Sequence, residues 1–347
     1  MPALRPAADP RPVRPRPKRA APFGPRTWHC VGPGRLGTRG PRAVFSPLHG
    51  EPVAVRTGRL DLVCCYGTVH LSAAALYRFC QAGTPIALFS ADGRRVRGRL
   101  LPERPGPSAA GLRDRQFAAL ADPDRRRELA RRFVLDKLAA QGTAARELQK
   151  RGKPGATAAL HRLRNAWRRA NAVDSVNALR GVEGGAAAIW FRLLAATLRP
   201  GWSFAKRVRR PPRGPVNALL SLAGTLVVER AAAAAAARGL EVDRGCLHEN
   251  RPGRPSLACD LAEPLRADAV GRWTLAVCNQ GRLSPADFEE HPSHGTRLKP
   301  DCFPVALADW ETHWAVHDLR ERLNGVVTEF VAALGRRSGG PGAGVSP

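Results

Sequence analysis

The stretch 84-TPIALFSADGRRVRGRLLPERPGPSAAGLRDRQFAALADPDRRRELARRFVLDKLAAQ-141 changes its period halfway along, and that change decides the fold class. Before Leu101 the runs PIALFS and RVRGRLL flank Asp92-Gly93, a dipeptide suited to a hairpin turn. PERPGPS at 102–108 is a Pro/Gly/Ser connector. Beyond it the apolar residues fall at helical spacing.

Working outward towards the N-terminus, TWHCV, RAVFS, PVAVR and LDLVCCYG continue the short β-type runs. One helix, SAAALYRFCQAG, interrupts them, with Ser72 as N-cap and Gly83 as stop. Towards the C-terminus, TAALHRLRNAWRRANAVDSVNALRGVEGGAAAIWFRLLAATL and PVNALLSLAGTLVVERAAAAAAARGL are helical, with Asp174 a fitting N-cap and the alanine run a continuous helix. The expectation is an α+β chain: a basic Pro/Arg-rich disordered tail at 1–26, a β-rich domain at 27–101, a linker at 102–112, an α-helical domain at 113–335 and a disordered tail at 336–347. Strands as apolar as LDLVCCYG exceed what a unit of about 75 residues covers alone, which predicts that the β-rich domain pairs with a second copy.

Lys and Arg number 56 against 29 Asp and Glu, a formal charge of +27, so a polyanion is the expected partner. Nucleic acid is favoured over membrane, since no apolar run of about 18 residues is evident and no signal-peptide pattern occurs. A reducing cytoplasm fits eight scattered cysteines that lack Cys-x-x-Cys spacing. Cys64, Cys65, Cys259 and Cys278, in apolar strings, read as buried inert thiols.

Chemistry concentrates in 248-HENRPGRPSLACDLAE-263. Asp260 and Glu263, three apart on a helix, share a face and repel each other unless a cation lies between them. Paired carboxylates suit Mg²⁺ or Mn²⁺, and an imidazole from His248, folded back by the Gly-Arg-Pro turn, tilts the preference towards Mn²⁺. Glu183, set among Gly and Ala in ALRGVEGGAAAIWF, leaves room for a ligand to approach. Arg251 and Arg254 in the loop, and Arg209, Arg210 and Arg213 in RVRRPPR, offer guanidinium forks for phosphate.

Taken in order, GRLDLVCCYGTVHLSAAALYRFCQAGTPIALFSADGRRVRGRL, ALRGVEGGAAAIWF, RRPPRGPVNALLSLAGTLV, CLHENRPGRPSLACDLAEPLR and CNQGRLSPADF closely resemble the CRISPR-associated spacer-acquisition integrases, the Cas-one family. The likeness spans roughly residues 27 to 335. It implies an N-terminal β-domain that dimerises and a helical catalytic domain with one divalent-metal site, whose ligands fall on Glu183, His248 and Glu263 with Asp260 in support. It implies insertion of short DNA fragments into a CRISPR array, by attack of a DNA 3′-hydroxyl on a repeat phosphodiester, together with a small dimeric Cas-two partner. Gly214-Pro215-Val216-Asn217 stands where the family usually has Asp-Pro-Val-Asn, and Ala223-Gly224-Thr225 where Gly-Tyr-Thr is common. Two rival readings are a non-catalytic basic nucleic-acid scaffold and a standalone metal-dependent DNA repair nuclease of the same fold.

Overall fold

The computed structural model describes residues 23–24, 26–102 and 107–335. Most of the expected tail at 1–26, and all of that at 336–347, lies outside these residues. The ladder begins within the former: β1 (Phe23–Gly24) pairs antiparallel with β2 (Thr27–Val31).

Two sheets follow. β3 (Gly34–Arg39), β4 (Arg42–Pro47), β5 (Val53–Arg56) and β7 (Val69–Leu71) form a four-stranded sheet in the order β5-β4-β3-β7. The other sheet runs β1-β2-β6-β8-β9, with β6 at Leu62–Tyr66, β8 at Ile86–Phe89 and β9 at Val96–Leu100. Within it β2, β6 and β8 are parallel, and α1 (Ala73–Gln81) lies on the path from β7 to β8. Ser72 caps α1 by accepting from the Ala75 amide at 3.2 Å, and Gly83 follows at φ +65°, as expected. Gly93 turns β8 into antiparallel β9 at φ +67°.

β6 is buried along its whole length because both faces of its sheet are covered. Val63 and Cys65 pack with Trp28, Leu36, Phe45 and Phe79 inside the β-rich region. Leu62, Cys64 and Tyr66 face the helices. The expectation that such strands need a second copy is therefore corrected: the same chain covers them. Burial also pushes up the thiols of Cys64 and Cys278, the latter to about 12. Cys259 is only half-buried, against expectation.

The remainder is mostly helical: α2 (Pro107–Ala121), α3 (Pro123–Lys150), α4 (Ala156–Ala172), α5 (Val176–Thr197), α6 (Pro215–Ala237), α7 (Ser256–Ala262), α8 (Trp273–Asn279), α9 (Phe303–Val316) and α10 (Leu319–Leu334). A 3₁₀ turn at Glu263–Leu265 and a π-helix at Arg266–Arg272 join α7 to α8. A hairpin of β10 (Phe288–His291) and β11 (Gly295–Leu298) interrupts the helices. Helix α2 takes in residues 107–112 of the expected linker. Ser175, not Asp174, caps α5, accepting from the Ala178 amide at 3.1 Å. Helix α6 continues through the alanine run; it is long and apolar enough to cross a membrane, a feature the apolar-run reading passed over, yet two-thirds of its apolar window is buried in the protein core.

Side chains tie the sheet to the helices. Arg99 grips Glu229 of α6 with two bonds of 2.6 Å, and Arg320 donates to Asp61 at 2.5 Å. His29 bridges Tyr66 Oη at 2.8 Å and Glu311 Oε1 of α9 at 2.7 Å. Arg230 pairs with the same Glu311 oxygen.

Candidate active site

Three segments converge below α6. The loop 241–250 is held from outside by α2, α3 and α5: Gln116 donates to the carbonyls of Glu241 and Arg244, Arg126 to that of Cys246, and Arg180 to that of Leu247. From inside, Asp260 holds it. The Asp260 carboxylate, fully buried, accepts the backbone amides of Cys246, Leu247 and His248 at 2.7, 3.0 and 2.9 Å. Gly245 permits this closeness, since a Cβ there would lie 2.7 Å from Asp260 Oδ2 and 2.8 Å from Ser256 backbone.

The same carboxylate stands 2.6 Å from His248 Nδ1. Asp260, already accepting three amides, requires the proton on Nδ1, which leaves the lone pair on Nε2. That nitrogen points towards Glu263 Oε1 at 3.8 Å. The loop thus returns the imidazole to the acids, as the sequence predicts. The reason for pairing Asp260 with Glu263 is corrected, however. Backbone amides and the His248 ring satisfy Asp260, so no cation between the two acids is needed to hold it.

Glu183 reaches the cluster from the middle of α5, and the ammonium of Lys137 from α3 lies between Glu183 and Glu263, 2.5 Å from Glu263 Oε2. Arg266 Nε donates to the other Glu263 oxygen at 2.6 Å. Burial alone would raise the Glu263 carboxyl, yet Arg266, then Lys137, hold it well below the usual carboxylate range. Among the described residues no three His, Cys, Asp or Glu side chains stand close enough to hold a metal ion as they are. The residue types nevertheless suit one: Glu183 and Glu263 share the Lys137 ammonium, and His248 Nε2 lies 3.8 Å from the other Glu263 oxygen, so two carboxylates and an imidazole neighbour one another from three elements.

On the outer side of Glu183, a Cβ at Gly181, Gly184 or Gly185 would meet nothing within 4 Å. Bare helix surface therefore borders the carboxylate.

Lys137, Arg266 and Arg207 were not among the residues singled out from sequence. Lys137 carried a readable signal: it lies on the stripe Phe133, Val134, Lys137, Leu138, Gln141, where every neighbour is buried. Arg207 sits at the head of RVRRPPR, where Arg209, Arg210 and Arg213 were preferred. These three are exposed, whereas Arg207 is half-buried and, among the described residues, bonded to neutral acceptors: the carbonyls of Val208 and Asn217, Asn217 Oδ1 and Ser221 Oγ. Burial and the like charges of Arg209 and Arg266 lower its proton affinity, and the guanidinium stays charged at neutral pH. Asn217 fixes this basic loop by donating to the Lys206 and Arg213 carbonyls at 3.0 and 2.8 Å. In the other basic segment, Arg251 leans on Glu249 at 2.8 Å, and Arg254 is half-buried.

The sequence matches the family model described as "CRISPR associated protein Cas1" over residues 30–312. It is 36% identical over 252 residues to the CRISPR-associated endonuclease Cas1 3 of Thermus thermophilus, covering 73% of each chain. In fold it is similar to a CAS1 protein from Thermotoga maritima, with a TM-score of 0.81, 21% identity, and 92% and 100% of the two chains covered. A casposase bound to its integration product gives 0.72 at 17% identity, covering 90% of this chain and 96% of that one. The Cas6-RT-Cas1–Cas2 complex contains a chain that gives 0.76 at 18% identity, with 90% of this chain and 35% of that one covered.

Proposed function

Since the chain belongs to the Cas1 family of CRISPR-associated proteins, we propose that it is a divalent-metal-dependent DNA endonuclease and integrase that inserts short DNA fragments into a CRISPR array. The observation that carries this reading is the one positive charge shared by Glu183 and Glu263, with His248 beside the other Glu263 oxygen and Asp260 orienting the imidazole.

In the reaction, the 3′-oxygen of the incoming strand bonds to a phosphorus of the repeat. The bond from that phosphorus to the repeat's own 3′-oxygen breaks, and the proton of the attacking hydroxyl ends on the oxygen released. A Mg²⁺ or Mn²⁺ ion held by Glu183, His248 and Glu263 would supply Lewis-acid stabilisation of the charge on the reacting phosphate. Asp260 keeps the His248 Nε2 lone pair aimed inward. Lys137 neutralises the two glutamates while no divalent ion is bound. Arg207, half-buried and without a carboxylate partner among the described residues, and Arg266 beside it offer guanidiniums to the reacting phosphate. The open helix surface at Gly184 and Gly185 lets a DNA strand approach Glu183 closely. Arg209, Arg210, Arg213, Arg251 and Arg254 bind duplex phosphates, both of the fragment and of the repeat.

The casposase neighbour, solved on an integration product, and the neighbour solved in a complex with Cas2 support strand transfer and a small Cas2-family dimer as partner. Homodimerisation through the β-rich domain rests on the family likeness alone, and the protein works in the cytoplasm, where its DNA lies. The deciding assay joins a labelled 3′-hydroxyl DNA end to a repeat-containing duplex, with and without EDTA. Product is expected only with free Mg²⁺ or Mn²⁺; equal product in EDTA, or from His248→Ala, overturns the reading.

A further inference from the structure

Gln141 of α3 is 2% exposed, and among the described residues its Oε1 meets no hydrogen-bond partner. A buried amide left in that state costs free energy that a packed leucine would not. It stands four residues beyond Lys137 on the same buried stripe, so the two side chains are neighbours on the helix surface. Helical side chains lean towards the start of their helix, which brings the Gln141 amide over the turn that carries Lys137.

The packing explains why Oε1 is unclaimed. Lys137 meets Glu183, and Ala144 and Trp190, each seven residues further on, line one cleft. Helices α3 and α5 therefore advance in step, and Ala187, four past Glu183, falls level with Gln141. An alanine side chain has no donor to give.

The ammonium of Lys137 has the opposite need. It lies between Glu183 and Glu263, in the place that the proposed function gives to a divalent ion. Two cations that close repel each other. The Lys137 side chain is only 5% exposed, so water does not receive the displaced charge, and a buried ammonium needs an acceptor. Phe133, Val134 and Leu138 of the same stripe offer none. Asp268, on the segment that follows Glu263, is already engaged by Arg272 and Arg322. Gln141 Oε1 is an unclaimed acceptor within one turn of the lysine.

We propose that Gln141 is a positioning residue for Lys137: as the site loads, the ammonium leaves Glu183 and Glu263, and its hydrogen bond passes to Gln141 Oε1. The inference rests on the proposed function, since it concerns the same ion. Its consequence is electrostatic. Without the ion, Glu183, Glu263 and Lys137 together carry one negative charge, which repels a phosphate. With a divalent ion present and the ammonium retained one turn away, they carry one positive charge, so the site attracts a phosphate only when loaded.

Calorimetric titration of the full chain with Mn²⁺, without DNA, tests this in wild type, Gln141→Leu, Lys137→Met and the double variant. Gln141→Met serves as a second apolar replacement should the leucine variant fail to fold. In EDTA, Gln141→Leu should melt no lower than wild type, because the amide that it removes is unpartnered there. It should nevertheless bind Mn²⁺ about tenfold more weakly, since the displaced ammonium loses its acceptor. In the Lys137→Met background the same change should leave Mn²⁺ affinity where Lys137→Met set it. Equal weakening in both backgrounds, or none in either, overturns the inference. A wild type that binds no Mn²⁺ sinks the metal-site reading and the exchange with it, whereas Mn²⁺ uptake indifferent to Gln141 sinks the exchange alone.

Discussion

Two buried charge clusters, one at the seam between sheet and helices and one beneath α6, use similar residues to different ends. At the seam, Glu311 takes His29 and Arg230 on a single oxygen, and the Arg230 guanidinium lies over Trp310 and Trp314, 4.8 and 4.4 Å from their ring centroids. Burial would raise the Glu311 carboxyl, but Arg230 and His29 bring it down to about 2. Beneath α6, the positive charge between Glu183 and Glu263 comes from a lysine side chain, and Glu183 keeps 22% of its side-chain surface exposed. A cluster that only joins elements consumes its charges behind aromatic rings. One that can take a substrate keeps an exchangeable member and an open side.

The sharpest way to break this contrast is to remove one member from each cluster. Glu183→Ala, His248→Ala and Glu263→Ala should each lower strand transfer by about a thousandfold or more, while duplex DNA still binds. Asp260→Asn should cost less than Glu263→Gln. Arg230→Met should spare the turnover of whatever protein remains folded; loss of turnover without loss of fold would erase the distinction.

Next in size is stability. Arg230→Met strips the buried Glu311 charge of its guanidinium and leaves it with His29 beside it, which should cost up to about 3–5 kcal/mol in urea unfolding. Glu311 has a depressed folded value, so its contribution is present above its ordinary value of 4.5 and is lost as pH falls towards about 2. Glu311→Gln should therefore flatten the acid limb of stability in that window. An unchanged limb would show that the seam pair contributes nothing.

Lys137→Met sharpens the comparison at a smaller scale. Without its ammonium, Glu183 and Glu263 repel each other, so the variant should melt lower in EDTA and gain more from Mn²⁺ than wild type does, a difference of about 1–3 kcal/mol. Equal gains would mean that the lysine and the ion do not share a place. Smallest is Gly184→Ala. An open helical position should gain up to about 1 kcal/mol, and a close DNA contact at Glu183 should show as a several-fold loss of strand transfer despite the more stable fold.

Much of this was legible from residue order. The switch from period 2 to period 3.6 located the strands and helices, because each face's burial is written in its spacing. The return of His248 to Asp260 and Glu263 was also readable, from the Gly-Arg-Pro turn and the acid spacing. What Asp260 does there was not readable, since backbone amides as partners leave no residue-type trace. Nor was the cover over the Leu62, Cys64 and Tyr66 face of LDLVCCYG, to which Phe303 of α9 contributes from more than two hundred residues later. Lys137 was visible as a charge on an apolar stripe but meaningful only beside two glutamates on other elements. The cap on α5 shows the finer limit, for Asp174 and Ser175 are both good caps and only the path of the chain chooses.

The bond between His29 and Glu311 joins residues 282 apart in sequence, and that has a consequence for biosynthesis. At about 5–20 residues per second, ribosomes need roughly a quarter of a minute to a minute to pass from one to the other. During that interval Val63, Cys65 and their neighbours can already pack against α1. The opposite face of the same sheet, with Leu62, Cys64, Tyr66 and His29, waits for partners still to be translated. Nascent chains are thus half-clad until α9 emerges, and products stalled before it expose a ready target for cellular quality control.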